Sequence, residues 1–208
     1  MEILSKILSA SVELFTQYGF KTITMDDIAR RAGISKKTLY QHFANKQEVV
    51  SESVTWYKNH MCEKAIASAE QSENAVEAMV RLMEMMDQTY RRINPLAMLE
   101  LQRFFSEAYF LFREKLVVQD VEMMRDNILR GIKEELFRED VNADLMARFH
   151  IETALMMFQS NLLINDRYDL HFVSQEIMEH FLYGLMTPKG EKLYHKYKNQ
   201  YLKKAVNI

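Results

Sequence analysis

The 208 residues predict an all-α fold with a three-helix N-terminal domain ahead of a larger helical one. Only 5 Gly and 2 Pro occur, too few for a β-sandwich or barrel, which needs a turn about every 8–12 residues. Apolar residues make up 48% of the chain, enough to bury a sizeable core and to exclude wholesale disorder. From Ile3, Ile7, Leu14, Phe15 and Tyr18 onward, apolar side chains return at helical spacing.

The elements follow in order. A first helix covers residues 3–18 and stops at Gly19, a residue that adopts the left-handed conformation at little cost. Thr24-Met25-Asp26-Asp27 has the form of a helix start, a capping hydroxyl followed by two acids on the positive end of the dipole. That short helix ends near Ala32. Gly33-Ile34-Ser35 makes a turn, and Ser35 caps a third helix from Lys36 to Phe43. Asn45 with Glu48 is a second capping pattern, which opens a long helix from Lys46 to about Glu70. Further helices are expected up to Arg92, from Pro95 to about Ser106, on through Phe137, over 143–164 and over 170–186. Thr187-Pro188-Lys189-Gly190 is expected to end the last of these, and the Tyr- and Lys-rich segment beyond it to form one further helix. No internal repeat or Gly/Ser linker appears, so the long helix from Lys46 joins the two domains, expected at 1–46 and 47–208.

Composition excludes several function classes. Lys and Arg number 27 against 29 Asp and Glu, a net charge of −2, so bulk charge names no partner. Residues 1–50 carry +2 and the remainder −4. Cys62 is the single cysteine, which rules out an internal disulfide and fits a reducing compartment. No apolar run approaches the ~20 residues of a membrane span. The N-terminus lacks a basic flank, an apolar stretch and a cleavage site, so no signal peptide and a cytoplasmic location are expected. The six His show no i,i+4 pair and there is no Gly-rich phosphate loop. No metal site, no catalytic residues, no cofactor and no membrane partner are therefore expected.

The two short helices with a glycine-containing turn have the form of a helix-turn-helix, whose second helix can enter the major groove of DNA. On a wheel of about 100° per residue, Leu39 and Phe43 lie within about 40° of each other, while Lys37 and Gln41 fall about 160° and 200° away. Thr38 and Tyr40 flank them. The outward face thus presents an ammonium, an amide, a hydroxyl and a phenol, groups that reach base edges and phosphate oxygens. Lys36 and Lys46 lie near the ends of the segment, in reach of flanking phosphates, and Thr24 at a helix N-terminus offers another hydrogen bond.

The run Ile7-Leu8, Glu13-Leu14-Phe15, Tyr18-Gly19-Phe20, Thr22-Ile23-Thr24 and Asp27 through Lys46 resembles, without a gap, the DNA-binding domain of TetR-family transcriptional regulators. The resemblance implies a dimeric repressor of a double-stranded, pseudo-palindromic operator. The positions held here by Thr24, Ser35, Lys36, Lys37, Thr38, Tyr40, His42 and Lys46 would touch DNA, and the wheel adds Gln41. It also implies that the C-terminal helices bind a small-molecule effector and form the homodimer. Lys37 stands where many members have Gly, so operator preference does not carry over.

Twelve of the 15 Met lie between Met79 and Met186. Methionine suits a pocket for varied apolar ligands. Met83, Met86, Tyr90, Phe104, Phe105, Met124 and Phe158 are the candidate effector-pocket residues. Glu100 and Arg103, three apart, read as a surface ion pair. Leu155, Leu162, Phe172, Ile177, Phe181 and Leu185 are expected to form a two-helix face that pairs with its symmetry mate into a four-helix bundle. Two alternatives stay open: an activator or effector-independent regulator of the same fold, and a helical ligand-binding or interaction protein without DNA function. Lys37 and Tyr40 count against the second.

Overall fold

A computed structural model describes residues 3–159 and 169–202. The described residues form eleven α-helices: α1 Ile3–Tyr18, α2 Met25–Ala32, α3 Lys36–His42, α4 Lys46–Glu70, α5 Ala75–Tyr90, α6 Ala97–Phe104, α7 Ser106–Lys115, α8 Val121–Lys133, α9 Ala143–Gln159, α10 Leu170–Leu185 and α11 Pro188–Tyr201. The fold is all-α, as the glycine and proline poverty requires.

Two compact units are present, Met1–Met61 with Arg92–Lys115, and Cys62–Arg91 with Leu116–Ile208. The first therefore runs well past residue 46 and takes in α6 and α7. The reason is its core. Ile7, Phe15, Ile28, Leu39 and Phe43 from α1–α3 are closed over by Val49, Val50 and Val54 of α4 and by Leu101, Phe105, Ala108 and Tyr109. Three short helices alone leave too much of that apolar surface wet.

The second unit is built on Val76, Met79, Val80, Met83, Met124, Ile128, Ile151, Phe181, Leu182, Leu185, Tyr194 and Tyr197. Its helix boundaries differ from expectation in two places. The helix expected through Phe137 is broken by a π-helical turn, Leu116–Asp120, and α8 stops at Lys133. It stops because Glu135 takes φ +59° and the Phe137 ring folds back over Gly131, where a Cβ would lie 2.1 Å from the ring. Thr187-Pro188 ends α10 and also starts α11: the Thr187 hydroxyl accepts the Gly190 N–H at 3.2 Å, and Pro188 fills the first turn, where no donor is needed.

Helix α11 is stitched to α5 by polar side chains. The Tyr197 hydroxyl donates to Glu73 at 3.0 Å and accepts from Asn74 at 2.9 Å. The Tyr201 hydroxyl donates to Glu77 at 2.6 Å, and Arg81 bonds both partners. The Glu77 carboxylate is buried, and these donors hold its pKa below the usual range against the opposing effect of desolvation.

The expected dimer face needs correction. Phe181 and Leu185 are core residues of their own subunit, 7% and 1% exposed, and Leu155 is buried as well. Ile177 is half-buried and Phe172 exposed, while Leu162 lies outside the described residues. Helices α9 and α10 carry apolar residues all round, so an apolar list mixes inward and outward positions. Leu145, Phe149 and Met156 of α9 and Phe172 and Tyr183 of α10 are the exposed ones.

Candidate nucleic-acid interface

Helix α2 begins with a reciprocal cap. The Thr24 Oγ1 accepts the Asp27 N–H at 3.2 Å, and the Asp27 carboxylate accepts the Thr24 N–H at 2.9 Å. Thr24 also donates its hydroxyl proton to Asp27 at 2.6 Å. These bonds to Thr24 hold the Asp27 carboxyl below its usual range. Gly33 at φ +67° ends α2 in the left-handed conformation, with its N–H on Arg30 O at 3.2 Å. Two residues later the Ser35 Oγ accepts the Thr38 N–H at 3.0 Å and starts α3. The tight turn between the helices follows from that one glycine and one serine.

Leu39 is fully buried and Phe43 nearly so, which fixes the roll of α3. Lys36, Lys37, Tyr40, Gln41 and His42 are exposed, and Thr38 is half-buried. Tyr40 leaves 47% of its surface open to solvent. The helix therefore offers one contiguous face with an ammonium, a phenol and an amide, held by two apolar anchors.

Not every expected contact residue stands free. The Thr24 hydroxyl proton is taken by Asp27. Lys36 pairs with Asp26 at 2.7 Å, and that carboxylate raises its pKa; both groups are more than half exposed, so the pair is weak and easily exchanged. Lys46 is placed differently. Its ammonium donates to Lys21 O at 3.2 Å and lies 5.5 Å from the centre of the Phe105 ring. Burial lowers its pKa, with Glu100 and Asp27 pulling the other way. The direction of this side chain was not legible in the sequence, because the carbonyl that holds it comes from another turn.

The candidate pocket residues are divided between the two units. Phe105 is part of the first unit's core and Phe104 is exposed beside it. The other five belong to the second unit: Met83, Met124 and Phe158 are buried, Met86 and Tyr90 half-buried, and Tyr90 meets Phe158 edge-on at 6.0 Å. Sequence reasoning missed the polar cluster beside them, where buried Asp87 accepts from Arg91 and Gln175, each at 2.9 Å, and pairs with His171. Nor do Glu100 and Arg103 pair as expected. Glu100 accepts the Lys21 N–H at 2.9 Å, and Arg103 lies over the Phe104 ring. Among the described residues no cluster of metal-ligating side chains occurs, and no helix is long and apolar enough to cross a membrane.

The family model of the bacterial regulatory proteins of the tetR family matches residues 7–52. The transcriptional repressor KstR2 of Mycobacterium tuberculosis is 28% identical over 151 residues, which are 71% of this chain and 76% of that protein. Among solved structures, the reduced form of NemR from E. coli superposes with a TM-score of 0.73 at 12% identity, covering 90% of this chain and 99% of that one. FadR from Bacillus subtilis, in complex with stearoyl-CoA, superposes with a TM-score of 0.62 at 16% identity, covering 87% and 98%. The segment matched by the tetR-family model contains the whole α2–turn–α3 element and its anchors, so the likeness to that family lies in the part of this chain that builds the helix-turn-helix.

Proposed function

We propose that the protein is a homodimeric transcriptional repressor that binds a pseudo-palindromic operator and leaves it when a small, largely apolar effector binds. The observation that carries this reading is the α3 face, where Leu39 and Phe43 point inward and Lys37, Tyr40 and Gln41 outward. Two such helices related by a dyad enter successive major grooves about 34 Å apart. The effector acts by binding one state of the protein better than the other. An apolar effector is supported by buried Met83 and Met124 and by the Tyr90–Phe158 pair.

For the dimer, the exposed residues of α9 supply the surface. Leu145, Phe149 and Met156 fall within about 40° of one another around the helix. Phe172 and Tyr183 of α10 are equally open. A second copy presenting the same stripe buries both.

The test is selection of duplexes from a random pool by the full-length protein, followed by Lys37→Ala. A base-edge contact is worth about 1–3 kcal/mol, so the variant loses about tenfold or more in affinity for the selected site and relaxes its sequence preference. A full-length protein that enriches no duplex rules the reading out. Lys46 gives a second check. A lysine on a phosphate contributes about one unit to the slope of log affinity against log salt. With its ammonium on Lys21 O, Lys46→Ala is expected to lower the melting temperature and leave that slope unchanged; a flatter slope identifies a phosphate contact instead.

A further inference from the structure

The turn between α1 and α2 is held from both sides through a single residue. Gly19 closes α1 at φ +84°, and the chain reaches the Thr24 cap five residues later. At Lys21 the backbone N–H donates to Glu100 Oε2 at 2.9 Å and the backbone carbonyl accepts from Lys46 Nζ at 3.2 Å. Glu100 lies on α6 and Lys46 is the first residue of α4. The carboxylate lies close against residue 19, where a Cβ would sit 2.5 Å from Glu100 Oε2. Around it, Asn94 N–H donates to Thr16 O at 2.7 Å, and the Phe20 ring stacks on Phe15 at 4.8 Å and lies 6.0 Å from Phe105.

We propose that Glu100 is a positioning residue for DNA reading: through the Lys21 backbone it fixes the turn that aims α2 and α3, and it touches no DNA itself. The proposal rests on the DNA-binding reading above. It makes a prediction opposite to simple electrostatics. Removing an acid from a protein that binds a polyanion strengthens binding to every duplex. If Glu100 holds the turn, its removal weakens binding to the preferred site alone, because only that site depends on the aim of α3.

The experiment measures affinity of the full chain for its selected duplex and for a shuffled duplex over a range of salt, with hydrogen exchange at the Lys21 amide. Loss of one charge-assisted hydrogen bond is expected to cost Glu100→Ala about tenfold at the selected site, with no loss at the shuffled one and no change in salt slope. Glu100→Gln keeps an acceptor for the amide and is expected to stay within about threefold of the native chain. Glu100→Asp keeps the charge but draws the carboxylate back, and is expected to behave as Glu100→Ala does. Exchange at Lys21 quickens in the Ala and Asp variants only. Should Glu100→Ala fail to fold, the Gln and Asp variants decide. An unchanged ratio of the two affinities in folded Ala or Asp protein overturns the proposal. A native chain that enriches no duplex overturns the DNA-binding reading itself, and the proposal with it.

Discussion

Phe181→Asp is expected to destroy the second unit's cooperative unfolding transition rather than to release folded monomers. Phe181 is 7% exposed, and its ring lies 4.8 Å from that of His150, among Met178, Leu182 and Leu185. Truncating such a phenylalanine costs about 3–5 kcal/mol. An unpartnered carboxylate in its place adds several more, against a total stability of about 5–15 kcal/mol for a domain. A thermal melt followed by circular dichroism reads the result. Phe149→Asp, on the open side of α9, is the contrasting variant: it is expected to melt like the native chain and to sediment as a monomer. A folded, monomeric Phe181→Asp protein would return Phe181 to the subunit interface.

The second large effect is a loss of stability in mild acid through His150. Its Nδ1 is shielded from solvent and has no hydrogen-bond partner among the described residues. Burial penalises the charged ring and lowers its pKa from the ordinary 6.5 to about 4. The unfolded chain therefore binds this proton at a higher pH than the folded one. The stabilisation is complete above pH 6.5 and is lost as the pH falls towards 4. A shift of that size corresponds to about 3 kcal/mol. Urea unfolding of the native chain and of His150→Leu at a series of pH values measures it. The expected result is a native curve that falls steeply between pH 7 and 4.5 and a shallower one for the variant by about that amount. Parallel curves would mean that the folded protein accepts the proton freely.

What could be read from the sequence was local. Gly19, the Thr24 cap, Gly33 and Ser35 each act within four residues of themselves, and they bound α1, α2 and α3 as expected. The wheel for α3 worked because the helix is only two turns long and is anchored by Leu39 within it and Phe43 at its C-cap, so one roll buries both. What escaped depended on distant partners. That α6 and α7, with Phe104 and Phe105, belong with the first unit rests on apolar contacts to residues from α1 to α4. Lys46 resembles a free cation until the Lys21 carbonyl is found beside it. Phe181 and Phe149 are the same residue type and opposite in placement, because α9 and α10 carry apolar residues on more than one face.

The stitching of α11 to α5 has a consequence for synthesis. Tyr201 follows its partner Glu77 by 124 residues, and a ribosome adds about 5–20 residues per second. For about ten seconds the nascent second unit holds α5 without α11, whose Tyr194 and Tyr197 share a core with Met79, Val80 and Met83. That interval is when a chaperone or a protease meets the chain, and variants that weaken the Tyr197 and Tyr201 hydroxyl contacts should show first as lower yield in the cell, ahead of any change in the finished protein.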